Sequence, residues 1–152
     1  NVRLTLTNVA NCKIDFTKTK VAYRQPIYEK YLRNEIKWYE SGSLKASDSP
    51  SPKVWNEFAD TSGNIQSNYG HLILKKKNDY SSTPTSPYTH VIKILKADLH
   101  SRQAILHYNQ PDHYKNAKDI PCTVCAQVLI RDKRLHFSVF QRSCDLFTGL
   151  IY

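Results

Sequence analysis

A proline–cysteine pair, Pro121-Cys122, stands at the head of the alternating run "CTVCAQVLIRD", and a second thiol, Cys125, follows three residues on. Zinc would need both sulfurs on one side, yet residues i and i+3 of a regular strand point to opposite faces. Alternation groups Cys122 with Val124, Ala126 and Val128, and Cys125 with Thr123, Gln127 and Leu129. No second Cys/His pair stands at zinc-finger spacing, so no metal is expected. A thioredoxin-like redox pair is not favoured either. Cys125 and Cys12 read as small buried residues of a sheet. Cys122 reads differently, because Pro121 fixes the entry to the strand and leaves the thiol at its end.

A nucleophilic thiol needs its thiolate form, and a nearby cation favours it. The segment "FSVFQRSCDLF" supplies one in Arg142. In an antiparallel hairpin closed at residues 131–134, Cys122 and Arg142 fall at the same open end, to within about two residues. Ser143 and Asp145 belong to that end too. A thiol, a guanidinium, a hydroxyl and a carboxylate would converge there. Such a set suits a phosphorylated substrate attacked by sulfur.

The elements that must hold these groups follow from pattern. Val2, Leu4 and Leu6 alternate with Arg3, Thr5 and Thr7, the mark of a strand within residues 1–16. Residues 26–40 read as a helix with Pro26 in its first turn and Gly42 beyond its end. Its apolar stripe is Ile27, Tyr31 and Trp38, with Leu32, Ile36 and Tyr39 beside it, and Glu35 stands in that stripe. A polar loop follows at 41–53. "LILKKKNDYSSTPTSPY" reads as a strand running into a surface insert whose lysines belong to a solvated loop. A helix is expected over Thr89–Ala97, then strands over 103–109, 122–131 and 135–142, the last two joined by the turn "RDKR". The class is α+β, helices packed on a mainly β core, in one domain spanning residues 1–152.

The chain has 152 residues, ten tyrosines and four cysteines without regular spacing, which fits a folded domain from a reducing, cytoplasmic compartment. No stretch is apolar enough to cross a membrane. The net charge of +9 implies anionic partners, with nucleotides ahead of nucleic acid, or serves solubility alone.

The collinear set from about residue 20 onward resembles the thymidylate synthase superfamily. It comprises "NEIKWY", "VWNEFADTSGNIQSNYG", Arg102, Tyr108-Asn109, Pro121-Cys122, Gln127, "QRSCD", Phe147 and Gly149-Leu150. The resemblance implies folate-dependent one-carbon transfer to carbon 5 of a pyrimidine deoxynucleotide monophosphate, dUMP or dCMP. Cys122 would add to carbon 6, and 5,10-methylenetetrahydrofolate would supply the carbon. Arg142 and Ser143 would hold the phosphate, with Arg102 reaching across a sheet-mediated homodimer. Glu35 would order water and relay protons, as a carboxylate on an apolar face with a raised pKa can. Trp55 and Tyr69 would line the folate and pyrimidine side, Asp145 would hold the pterin, and Gln127 would lie near the base.

Three departures bear on this. Thr123 follows the nucleophile, and Cys-Thr with "QVLIRD" and "SNYG" looks more like the phage deoxycytidylate hydroxymethylases. Gln103 stands where the family commonly has a second arginine. The chain stops at "GLIY", before the Asn or Asp that reads the base and the later His-x-Tyr that holds the sugar. With no methionine even at position 1, it is expected to be the N-terminal part of a longer or split protein, not stable alone. The competing reading is a non-catalytic relative that binds nucleotide, nucleic acid or a protein partner.

Overall fold

The computed structural model describes residues 29–80, 82–116 and 118–144. These residues belong to one compact unit. The expected first strand, Cys12 and Asp145 lie outside the described residues.

Helix α1, Glu29–Ser41, stops at Gly42, whose φ of +66° is a conformation that glycine adopts without a steric penalty. The Gly42 N–H donates to the carbonyls of Trp38 and Tyr39, which closes the helix end. The expected stripe holds at Trp38, 3% exposed, but Ile36 faces solvent at 55% exposed. Glu35 takes the buried place one residue earlier, at 8% exposed. A short turn at Ala46–Asp48 and the single-turn helix α2, Pro52–Trp55, follow within and after the expected polar loop.

The segment "LILKKK" is not a strand. His71–Lys75 form a π-helical turn, with the Lys76 N–H donating to the His71 carbonyl at 2.8 Å. Three consecutive apolar residues carry no period that separates strand from helix. Tertiary contacts decide here: Leu72 is 1% exposed in the core, and the Asn68 side chain accepts the His71 N–H at 2.9 Å.

Helix α3, Pro87–Ala97, begins two residues earlier than the pattern suggested. Ser86 caps it by accepting the Thr89 N–H, and Pro87 takes the first turn. Strand β1, Ile105–His107, is shorter than expected. A one-turn helix α4, His113–Asn116, follows it. Strands β2, Thr123–Arg131, and β3, Arg134–Gln141, complete an antiparallel sheet in the order β1-β2-β3. Asp132 and Lys133 have φ of 50° and 58°, the positive values that a two-residue primed hairpin turn requires.

One face of the sheet carries the main core, in which Leu106, Ala126 and Val128 pack with Leu72, Val91, Leu95, Ala104 and Tyr108. A second cluster of Trp38, Ala46, Ala59 and Ile65 gathers Tyr39 and Trp55. Leu135, Phe137 and Val139 pair across from Ile130, Val128 and Ala126, and so continue the core-facing side onto β3, yet they are 66%, 52% and 48% exposed. No described helix is long and apolar enough to cross a membrane.

Candidate active site

The hairpin brings the expected groups together at its open end. Thr123 pairs with Gln141, and the Arg142 N–H donates to the Cys122 carbonyl at 2.9 Å. The Arg142 guanidinium then folds back on the strand head. Its Nε donates to the Pro121 carbonyl at 3.1 Å, and Nη2 donates to the Ile120 carbonyl at 2.8 Å. Nη2 also lies 4.0 Å from Cys122 Sγ, too long for a strong hydrogen bond but close for a charge beside sulfur. Ser143 Oγ stands 3.4 Å from the same sulfur. Cys122 itself is exposed, as a nucleophile must be.

Simple alternation does not orient Cys122. The register shifts between Thr123 and Cys125, where β2 spends two steps against one of β3 (141 to 140). That bulge breaks the face pattern between Cys122 and Ala126, and it buries Thr123. The grouping of Cys122 with Ala126 and Val128 is therefore corrected. The opposite-face argument against a two-sulfur metal site falls with it. Among the described residues no group of three or more His, Cys, Asp or Glu side chains is placed to hold a metal ion.

A second set of groups reaches the strand head from α1. Burial raises the pKa of the Glu35 carboxyl, and a hydrogen bond from Tyr39 Oη at 3.3 Å opposes part of that rise. Burial, then the Glu35 charge, holds the Tyr39 phenol well above its usual range. Tyr31 is raised by the same two causes, and its hydrogen bond with the Trp55 side chain lowers it. The Trp55 ring lies 5.2 Å from Trp38 and 6.3 Å from Phe58. The Tyr39 ring packs at 5.8 Å on Tyr69, which meets Tyr108 edge-on at 5.4 Å. Tyr69 Oη accepts the Thr123 N–H at 3.4 Å. Glu35, Tyr39, Tyr69 and the residue beside Cys122 thus form one continuous series of contacts.

Gln127 and Arg102 stand away from Cys122, Arg102 being expected to reach toward a partner subunit. Gln127 lies five positions along β2, about 17 Å at some 3.4 Å per residue. Its Nε2 donates to the Arg102 carbonyl at 2.9 Å, and it pairs with Ile105. Gln127 closes the far end of the β1–β2 ladder. Arg102 is exposed at that same far end.

Residue-by-residue reading missed other members of the site. Tyr39 sits four residues after Glu35, the spacing at which helix side chains meet, and that signal was available. Gln141 donates through Nε2 to Thr123 Oγ1 at 3.4 Å, tying the two strands just behind the nucleophile. Gly70 has no sequence signal beyond its place after Tyr69. A Cβ there would lie 1.7 Å from the Tyr39 carbonyl oxygen, so only glycine lets this segment approach α1.

The family model described as thymidylate synthase matches residues 5–152. The chain is 34% identical over 128 residues to the deoxycytidylate 5-hydroxymethyltransferase of Enterobacteria phage T4, covering 80% of this chain and 50% of that protein. It is 30% identical over 120 residues to the thymidylate synthase of Buchnera aphidicola subsp. Baizongia pistaciae, covering 77% of this chain and 45% of that protein. Its fold is similar to that of the thermostable thymidylate synthase A from Bacillus subtilis, with a TM-score of 0.65 and 24% identity over 87% of this chain and 46% of that one. The chain therefore spans about half the length of the curated relatives it matches.

Proposed function

The chain belongs to the thymidylate synthase family, and on that premise we propose that the protein transfers a one-carbon unit to carbon 5 of a pyrimidine deoxynucleotide monophosphate through a covalent adduct at Cys122. One observation carries this reading: an exposed thiol stands 3.4 Å from a serine hydroxyl and 4.0 Å from a guanidinium.

The Cys122 thiolate forms a bond to carbon 6, and the electrons of the 5,6 double bond move to carbon 5. Carbon 5 forms a new bond to the incoming carbon and gives up its proton, while the incoming carbon's bonds to its two donor nitrogens break, the nitrogens are protonated, and water supplies the hydroxyl. The sulfur–carbon bond breaks as the double bond re-forms. Arg142 and Ser143 bind the phosphate. Glu35, buried and bonded to Tyr39, moves the proton or orders water.

The carbon donor is 5,10-methylenetetrahydrofolate, which supplies carbon at the oxidation level of formaldehyde. The residues present fit a flat heteroaromatic group. Trp55 is half-buried and Phe58, 6.3 Å away, is 45% exposed, which leaves an aromatic shelf open to solvent. Asp145 is proposed to hold the pterin. Water rather than hydride is the proposed second reactant, giving a hydroxymethyl product from dCMP. Thr123 directly after the nucleophile supports this, as does the 34% identity to the phage hydroxymethyltransferase. The protein is further proposed to act as a homodimer joined through its sheets, with Arg102 contributing to the partner's phosphate site.

The test is release of tritium from carbon-5-labelled dCMP and dUMP, with the product identified by mass. Wild-type protein releases tritium from dCMP in a folate-dependent way and Cys122→Ala does not. Equal release by the two proteins would overturn the reading.

A further inference from the structure

We propose that Tyr39 is a positioning residue: its hydroxyl fixes the direction of the Glu35 carboxyl and couples that carboxyl to the strand head that carries Cys122. This rests on the functional reading above and goes one residue deeper. Four observations converge on it. Tyr39 Oη donates to Glu35 Oε1 at 3.3 Å, which commits one carboxyl oxygen to a phenol on the same helix. The Tyr39 ring packs against two others, Trp38 at 5.4 Å and Tyr69 at 5.8 Å. Tyr69 in turn accepts the Thr123 N–H at 3.4 Å, one residue from the nucleophile. The Tyr39 main chain is fixed as well, because Gly70 packs against its carbonyl oxygen.

The groups that face Glu35 come from three elements. Tyr31 and Tyr39 lie on α1 itself, and Tyr31 is bonded to Trp55 of α2. Tyr69, in the segment before the π turn, reaches Glu35 through Tyr39. Among the described residues, these titratable neighbours are all phenols. Tyr39 is the one hydrogen-bonded to the carboxyl. Burial favours the neutral acid, and the Tyr39 hydroxyl favours the anion. Removing that hydroxyl shifts the balance further toward the acid and frees the carboxyl to turn.

Tyr39→Phe keeps the ring contacts and removes only the oxygen. Carbon-13 NMR of protein labelled at glutamate carboxyls reads the Glu35 titration directly, with Glu35→Gln identifying the signal. The expected result is a higher midpoint in Tyr39→Phe than in wild type. Site-specific 3-fluorotyrosine at position 39 is the second probe, because a more acidic phenol donates more strongly and moves the midpoint down. In tritium release, kcat of Tyr39→Phe falls by about ten- to a hundredfold while KM stays near wild type, and the acid limb of the pH profile moves with the NMR midpoint. An unchanged midpoint in both proteins overturns the proposal, as does a shifted midpoint with unchanged kcat. Absence of tritium release from the wild type would sink the functional reading alone. The carboxyl titration needs no turnover, so it would still decide for or against Tyr39.

Discussion

The main-chain N–H of Arg142 donates to the carbonyl of Cys122 at 2.9 Å, so cation and nucleophile are locked to the same rung of one hairpin. The guanidinium adds two further bonds, to the carbonyls of Ile120 and Pro121, across the entry to β2. Arg142 is thus both a charge for the site and a strap on the peptide that presents the thiol.

Arg142→Lys separates those two roles. Lysine keeps the charge but cannot reproduce a planar fork on two carbonyls. Hydrogen bonds from a charged group are worth about 1.5–3 kcal/mol each. Arg142→Lys is expected to lose about a hundredfold in kcat/KM and Arg142→Ala more. Alkylation of Cys122, followed peptide by peptide with iodoacetamide, is expected to slow in the alanine variant. Wild-type kinetics in Arg142→Lys would mean that the strap has no role.

Glu35 gives a prediction in which stability and activity move apart. Its folded-state pKa is raised, chiefly by burial. From the ordinary glutamate value of about 4.3 up through the folded value, the folded state binds more protons than the unfolded state. The contribution of Glu35 to stability is therefore fully present below the unfolded value and is lost as pH rises through the folded one. Glu35→Gln removes that dependence. At neutral pH the variant is expected to be more stable by about 1 kcal/mol, with kcat reduced by roughly 10²–10⁴-fold. Below the unfolded pKa the two proteins should converge. Thermal melts across pH check this, and a variant less stable than wild type at pH 7 contradicts it.

Gly70 is demanded by packing rather than by its backbone angles, which are ordinary helical ones at φ −64° and ψ −42°. A Cβ would sit 1.7 Å from the Tyr39 carbonyl oxygen and 2.3 Å from its carbon. Backbone cannot yield as a flexible side chain can, so α1 and the following turn must move apart. Gly70→Ala is expected to destabilise the protein by about 2 kcal/mol or more, read from urea denaturation. The Tyr39–Tyr69 contact should loosen with it. A neutral substitution would mean that this approach is not close in solution.

The hairpin was legible because "RDKR" interrupts two alternating runs, and its register then fixed Cys122 opposite Arg142 within the expected error. Cys122, Arg142 and Ser143 thus meet as a local pattern can foresee. The bulge at Thr123–Cys125 left no such mark, since an extra residue in a ladder changes no residue type. It redirected Cys122 all the same. The π turn at His71–Lys75 hid inside an apolar run short enough to suit either element, and Asn68 and Gly42, which anchor it, are remote from any strand signal. Gln127 was named by family likeness, and its hydrogen bond to the Arg102 carbonyl leaves no mark in the sequence. Tyr39 was visible as an apolar-stripe aromatic, but its hydroxyl acquires meaning only once Glu35 is known to be buried beside it.

The sheet face opposite the core gives the last prediction. Cys125, Gln127 and Leu129 lie on it, paired with Phe140, Ser138 and His136 of β3 and, on the other side, with Ile105 and His107 of β1. None of these is buried, and Phe140 is 61% exposed. Large apolar residues left uncovered on a sheet face are where a second sheet docks. Covering a residue such as Leu129 or Phe140 contributes roughly 1.5–3 kcal/mol each. Joined through this face, two copies would bury both residues. Sedimentation equilibrium of wild-type protein is expected to give a dimer, and Leu129→Glu with Phe140→Glu a monomer, because each would bury an unpaired carboxylate. A wild-type monomer, or a dimer that survives both substitutions, would place the contact elsewhere. Arg102, exposed beyond the start of β1, would then lose its proposed route to a neighbouring phosphate site.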